Sequence, residues 1–201
     1  MDRLRRARRS GNAPIPSAPG RIVRGGAGPG LFRVRMARPE DFSFVKKVSR
    51  SVFRVYGPYD RILRQWFDLG LTVTLIAVEG RRPVGFAMVG PSIGSSFSPR
   101  DAELLAIAVS PAEQGRGVGP FLLRTAEEAA LSLGAETLVL HTASGNLRAR
   151  KLFARRGYEL VGRRQDFYPN GQEALELRKR LVSVDPEAPP RGVPGREGTR
   201  G

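Results

Sequence analysis

The chain has 201 residues, 40% of them apolar, with no cysteine, one histidine and a net charge of +15. This length holds one ordinary domain with a sizeable core and tails; the lack of cysteine excludes disulfides, thiolate metal sites and a cysteine nucleophile, and one histidine leaves a zinc site short of ligands. No stretch nears the ~18–20 uninterrupted apolar residues of a membrane-spanning helix, so a cytoplasmic protein without membrane or metal partners is expected.

Residues 1–30 carry seven arginines against one aspartate, are rich in Gly and Pro, and show no apolar periodicity, so they read as a disordered tail. Arg5-Arg6 and Arg8-Arg9 resemble an export signal, but no apolar core follows them. Their charge favours polyanions, nucleic acid or a ribosome included, although no RNA-binding motif accompanies it. Leu31–Met36 alternates and predicts a strand. Pro39-Glu40-Asp41 opens a helix running to about Val55, because Pro suits the first turn and acids suit its positive end. Gly57-Pro58 breaks it, and a second helix follows over Tyr59–Leu69. Strands Thr72–Glu79 and Val84–Val89 form a hairpin about Gly80–Pro83, and Pro91–Arg100 is a polar loop.

The second half is more regular. Strand Ala102–Val109 leads to helix Gly119–Leu133, closed by Gly134; strand Thr137–His141 leads to helix Asn146–Arg156, closed by Gly157. Tyr158–Gly162 and Ala174–Leu181 are closing strands, and residues 182–201 are a second disordered tail. Alternating strands and helices predict one α/β domain over 31–181 with a partly parallel sheet.

The chemistry is most legible where Ala102–Val109 runs through a short glycine-rich loop into a helix. Gly115, Gly117 and Gly119 permit positive φ and let backbone amides converge, and the helix start adds orphan N–H groups and the positive end of its dipole. Such a junction suits a pyrophosphate, and Arg116 is placed to add charge there. No Gly-Lys-Ser/Thr is present, and the spacing is G-x-G-x-G rather than G-x-G-x-x-G, which excludes the two familiar nucleotide loops.

Gln114-x-x-Gly117-x-Gly119, preceded by Ile107-Ala108-Val109 and Pro111, resembles the acetyl-CoA-binding motif of the GNAT superfamily of N-acetyltransferases. Asn146-x-x-Ala149-x-x-Leu152-Phe153 and then Gly157-Tyr158 resemble its second signature, most of all in the branch of ribosomal-protein alanine and other protein N-terminal acetyltransferases. The resemblance covers about 31–181 and implies a mixed sheet of about six or seven strands flanked by about four helices. It implies that strands 102–109 and 137–141 splay apart and that Ile107, Ala108 and Val109 pair with the cofactor's pantetheine arm. Gln114, Gly115, Arg116, Gly117, Val118, Gly119 and Pro120 would hold its pyrophosphate, and Asn146 would face it. The implied function is acetyl transfer from acetyl-CoA to a primary amine, a protein N-terminus or a small molecule. A CoA-binding regulator is the alternative.

The reaction needs a neutral amine. An α-amine near pKa ~7.7–8.0 is roughly a quarter neutral at cytosolic pH, whereas lysine near ~10.4 is neutral to about one part in a thousand. A weak base therefore suffices for an N-terminus. His141 stands where the resembling branch has a glutamate base, and its imidazole suits that work near neutrality. Glu103, on the cofactor-binding strand, is the rival base. Phe153 occupies the position where the family commonly has its tyrosine acid; Tyr168 is the best substitute, and water is the alternative proton source for the thiolate. Arg54, Tyr56, Tyr59, Arg61 and Trp66 are candidates for the acceptor pocket, and Arg163-Arg164 for attracting an acidic peptide.

Overall fold

The computed structural model describes residues 23–24, 32–68, 70, 72–92 and 98–181. The expected tail at 182–201, nearly all of residues 1–30, the strand start Leu31 and the helix end Leu69 lie outside these. Val23–Arg24 (β1) form a two-residue strand paired with Val34 and Arg33, inside a segment for which no strand is expected.

Strands β2 (Phe32–Met36), β3 (Val73–Glu79), β4 (Arg82–Pro91), β5 (Asp101–Val109), β6 (Thr137–Ala143), β7 (Glu159–Arg164) and β8 (Ala174–Arg180) complete one sheet of order β1-β2-β3-β4-β5-β6-β8-β7. Every neighbouring pair is antiparallel except β5 and β6, which are parallel. The mixed sheet and four flanking α-helices match the expectation.

One helix departs from it. Residues 39–55 do not form a continuous helix: a 3-10 turn over Pro39–Asp41 precedes α1 (Phe42–Val52), and a second turn, Arg54–Tyr56, follows it. Asp41 is held by Arg35 at 2.6 and 2.8 Å and accepts from the Arg38 amide at 2.7 Å, which fixes the entry to α1. The Arg35 guanidinium keeps the Asp41 carboxyl below the usual carboxylate range. Past Phe53 the chain reaches Gly57 at φ 112°, a left-handed value that glycine tolerates. Helix α2 spans Tyr59–Asp68.

Two apolar layers sandwich the sheet. On one face α3 (Val118–Ser132) and α4 (Leu147–Arg155) bury Leu122, Leu123, Ala126 and Phe153 against Leu104, Leu138 and Leu175. Leu122 and Leu123 are fully buried, which contributes about 1.5–3 kcal/mol each. On the other face Phe42, Val45 and Val48 of α1 and Leu63 of α2 cover Ile76, Phe86, Met88, Ala106 and Ala108. Ala102 and Leu104 thus face α3, whereas Ala106 and Ala108 face α1. A β-bulge explains the switch: Met88 pairs with Ala106 but Val89 pairs with Leu104, so Leu105 is an extra residue in β5. A bulge re-aims the strand beyond it.

Gly85 marks where β4 presses on this strand. A Cβ there would lie 2.9 Å from the Ala108 carbonyl oxygen and 2.9 Å from Leu122 Cδ1. The carbonyl belongs to the ladder and cannot retreat. Gly85→Ala is therefore expected to cost about 1–3 kcal/mol of stability, read as a lower urea midpoint at unchanged slope.

Candidate functional site

β5 and β6 pair only from Asp101/Thr137 to Leu104/Leu140. The bulge at Leu105 turns β5 away at that point, so the residues from 105 to 109 keep β4 on one edge and open a cleft on the other. Leu105, Ala106 and Ile107 line the cleft from β5, Leu140, His141 and Thr142 from β6, and Asn146 and Phe153 from α4 and its cap. Its enclosed part measures about 80 Å³, several times what one water needs. Ala108 and Val109 extend the open edge toward the glycine loop.

The loop has the geometry that its glycines suggest. Gly115 and Gly117 adopt φ of 89° and 86°, and Gly117 is the N-cap of α3. A Cβ at either would meet no atom within 4 Å, so both face open space at the helix start. Val118 and Gly119 open the helix, where N–H groups have no intrahelical partner, and Pro120 follows without a donor. A Cβ at Gly119 would lie 3.7 Å from Leu152 and 3.9 Å from Val109, ordinary contact distances that place α3 beside α4 and β5. Gln114 ties the loop down: its amide donates to the Val109 carbonyl at 3.1 Å, and its oxygen accepts from Arg148 at 2.6 Å. These residues fit a diphosphate, because a concave run of backbone amides at a helix N-terminus is an anion site.

Arg116 requires a correction. Expected to add charge at that site, it turns instead to Glu79 at 2.6 Å and to Glu113, with its guanidinium 5.3 Å from the Phe32 ring. Arg82 grips the same Glu113 at 2.6 Å, and together Arg82 and Arg116 hold that carboxyl below its usual range. The cation beside the loop is Arg148, which sequence reasoning missed although it sits in the second signature.

Asn146 caps α4, its side-chain oxygen accepting the Ala149 amide at 3.1 Å, and also lines the cleft. Phe153 is buried in the α3–α4 layer against Tyr158, with ring centroids 5.6 Å apart, so no hydroxyl stands at that position.

His141 and Glu103 come together. Glu103 pairs with Val139, two residues before His141, so both side chains share one face of the sheet, and His141 Nδ1 lies 3.0 Å from Glu103 Oε1. Glu176 of β8 pairs directly with His141 and sets its Oε2 3.6 Å from Nε2. The imidazole is 4% exposed, and Phe167 stacks on it at 4.6 Å. Burial works against ionisation of Glu176, but Arg164 at 2.8 Å, Arg178 at 3.2 Å and His141 hold its carboxyl below the usual range. Sequence reasoning missed Glu176 and Phe167. The one signal for Glu176 was an acid between Leu175 and Leu177 in an otherwise apolar strand start.

Tyr168 lines the same cleft, 4.8 Å from Tyr56 and 6.0 Å from Tyr59. Burial first, then these two phenols, push its hydroxyl well above the ordinary tyrosine value. Tyr56 and Tyr59 also line the cleft. Trp66 packs against the α1–α2 layer instead, and Arg54 borders a separate depression with Arg50 and Asp60. Arg61 does not line the cleft. Arg163 pairs with Glu173 at 3.2 Å. The segment 165–173 docks on the α1–α2 connection: Asn170 donates to the Val55 carbonyl, and Pro169 closes on Gly57. A Cβ at Gly57 would come within 2.7 Å of Pro169 Cβ. Gly57→Ala is expected to push this segment off the α1–α2 connection, read as a lower thermal midpoint.

Comparison with known proteins agrees with this geometry. A family model described as the acetyltransferase (GNAT) family matches residues 42–158, more than half of the chain. An uncharacterized N-acetyltransferase of Methanocaldococcus jannaschii is 24% identical over 73% of this chain and 90% of its own length. Among solved structures, the ribosomal-protein-S18-alanine N-acetyltransferase of Escherichia coli superposes with a TM-score of 0.64 at 18% identity, covering 79% of this chain and 99% of that one. The structure of yncA from Salmonella typhimurium with its cofactor acetyl-CoA gives 0.65 at 17% identity, covering 77% and 96%.

Proposed function

The chain belongs to the acetyltransferase (GNAT) family and is an acetyl-CoA-dependent N-acetyltransferase, and from that premise we propose that its acceptor is the α-amine of a protein N-terminus. The observation that carries this reading is the aromatic wall of the cleft: Tyr56 stacks on Tyr168, Tyr59 tilts against the same ring, and Pro169 closes on Gly57 beside them. A cleft walled by aromatic rings next to an imidazole suits the free end of an extended chain. The only imidazole nearby is a weak base, which suffices for an α-amine and serves lysine poorly.

Acetyl-CoA supplies an activated acetyl thioester. Backbone amides of Gly115–Gly119 would hold the diphosphate, with Gln114 bracing the loop and Pro120 shaping the helix start without a donor, and the free β5 edge at Ile107, Ala108 and Val109 would pair with the pantetheine amides. An N–H of that edge also polarises the acetyl carbonyl. Glu103 accepts the Nδ1–H of His141, which leaves Nε2 as the basic nitrogen. That nitrogen, buried beside Glu176, would take up the acceptor's proton. Tyr168 lines the same cleft and would offer its O–H to the departing sulfur, against the burial that raises its hydroxyl above the ordinary tyrosine value. The enzyme works in the cytoplasm, where new N-termini appear, and the arginines of residues 1–30 give an auxiliary polyanion contact.

The test is a radiolabelled acetyl-CoA screen against peptide N-termini, N-terminally blocked lysine peptides and small amines. Label on free N-termini alone is expected. Preference for small amines would move the acceptor to that class without touching the family assignment.

A further inference from the structure

We propose that Glu176 is a positioning residue for His141, facing Nε2 from β8 and stabilising the proton that this nitrogen takes up. The inference rests on the reading of His141 as the base and adds a residue to it. His141 lies between two carboxylates that the sheet register brings in: Glu103 at Nδ1, 3.0 Å away, and Glu176 opposite Nε2 at 3.6 Å. Nε2 is buried and has no hydrogen-bond partner. With Nδ1–H donated to Glu103, the Nε2 lone pair faces the Glu176 carboxylate, an arrangement that repels until a proton arrives. Uptake at Nε2 turns that repulsion into an N–H···O⁻ contact needing only a few tenths of an ångström of approach.

Arg164 of β7 donates to Glu176 Oε2 at 3.0 and 2.8 Å, and Arg178 of β8 donates to Oε1 at 3.3 and 3.2 Å. Arg178 also stands 3.9 Å from Asp101 of β5. Phe167 and Tyr168 bring an apolar ring and a protonated phenol from the 165–173 segment. The two guanidiniums keep Glu176 ionised and mute its field without cancelling it. Glu176 falls outside the 42–158 stretch that the family model matches, whereas Glu103 and His141 lie within it.

The full chain contains a single histidine, so its imidazole NMR signals need no assignment. Following them against pH in the wild type and in Glu176→Gln reads the linkage directly. An opposite charge within ~4–6 Å shifts a titration by 1–3 units, and the arginines place the effect at the lower end. Glu176→Gln is therefore expected to lower the midpoint by about one pH unit, with the acid limb of kcat/KM moving down alongside it and the plateau falling. Glu176→Asp keeps the arginine pairs and withdraws the carboxylate by one methylene. It should fold where Gln does not, and it should shift the midpoint the same way by less. An unmoved midpoint in either folded variant overturns the proposal. A midpoint that moves while the acid limb of kcat/KM stays fixed upholds the link between Glu176 and His141 and sinks the reading of His141 as the base.

Discussion

Gly117→Glu should abolish acetyl-CoA binding, with a loss of at least about 100-fold, or ~2.8 kcal/mol. Two effects act at once. Gly117 sits at φ 86° as the N-cap of α3, where a side chain costs about 1–2 kcal/mol of backbone strain. Its missing Cβ opens onto free space at the helix start, so a carboxylate there would occupy the volume and the positive potential that a diphosphate needs. Gly117→Ala separates the two effects. It carries the strain without the charge, so it should lower the thermal midpoint by about as much as Glu does while retaining part of the affinity. Isothermal calorimetry with acetyl-CoA reads the difference. Equal affinity for wild type and Gly117→Glu would remove the loop from the cofactor site.

The loop was legible because its signal is local. Three glycines between an apolar strand and an amphipathic helix dictate their own backbone geometry, whatever surrounds them. Arg116 shows where that stops: its direction is set by Glu79 and Glu113, one of which arrives from a hairpin far back in the chain. The helix expected over 39–55 fails for the same reason, since Arg35 on β2 captures Asp41 and fixes where α1 begins. The splay between β5 and β6 came from the family resemblance, while its local cause, the extra residue Leu105, depends on a register that no composition reveals. His141 and Glu103 were each singled out, but as rivals. Only the parallel pairing of Glu103 with Val139 makes them partners. Glu176 needed the antiparallel register of β8 as well.

That partnership changes what removing the histidine should do. At pH 7, His141→Gln is expected to lower kcat/KM by about 10²–10⁴, the usual worth of a positioned general base. Gln is the better first choice, because its amide can still donate to Glu103. His141→Ala would leave Glu103 and Glu176 buried without the imidazole between them, adding a stability loss to the kinetic one. Raising the pH should partly restore the variant, since an α-amine sheds its own proton above ~7.7–8.0 and then needs no base. Acetyl-CoA affinity should not move, because the diphosphate loop lies on α3 and not on β6. Each result has its opposite. Unchanged turnover at pH 7 would assign proton removal to water, and a loss that persists at high pH would make the imidazole a strut between β5, β6 and β8. Glu103→Gln decides what remains. If Glu103 orients Nδ1–H, the variant should lose activity by a smaller factor than His141→Gln, and the double variant should lose little more than His141→Gln alone, because the two residues act as one unit.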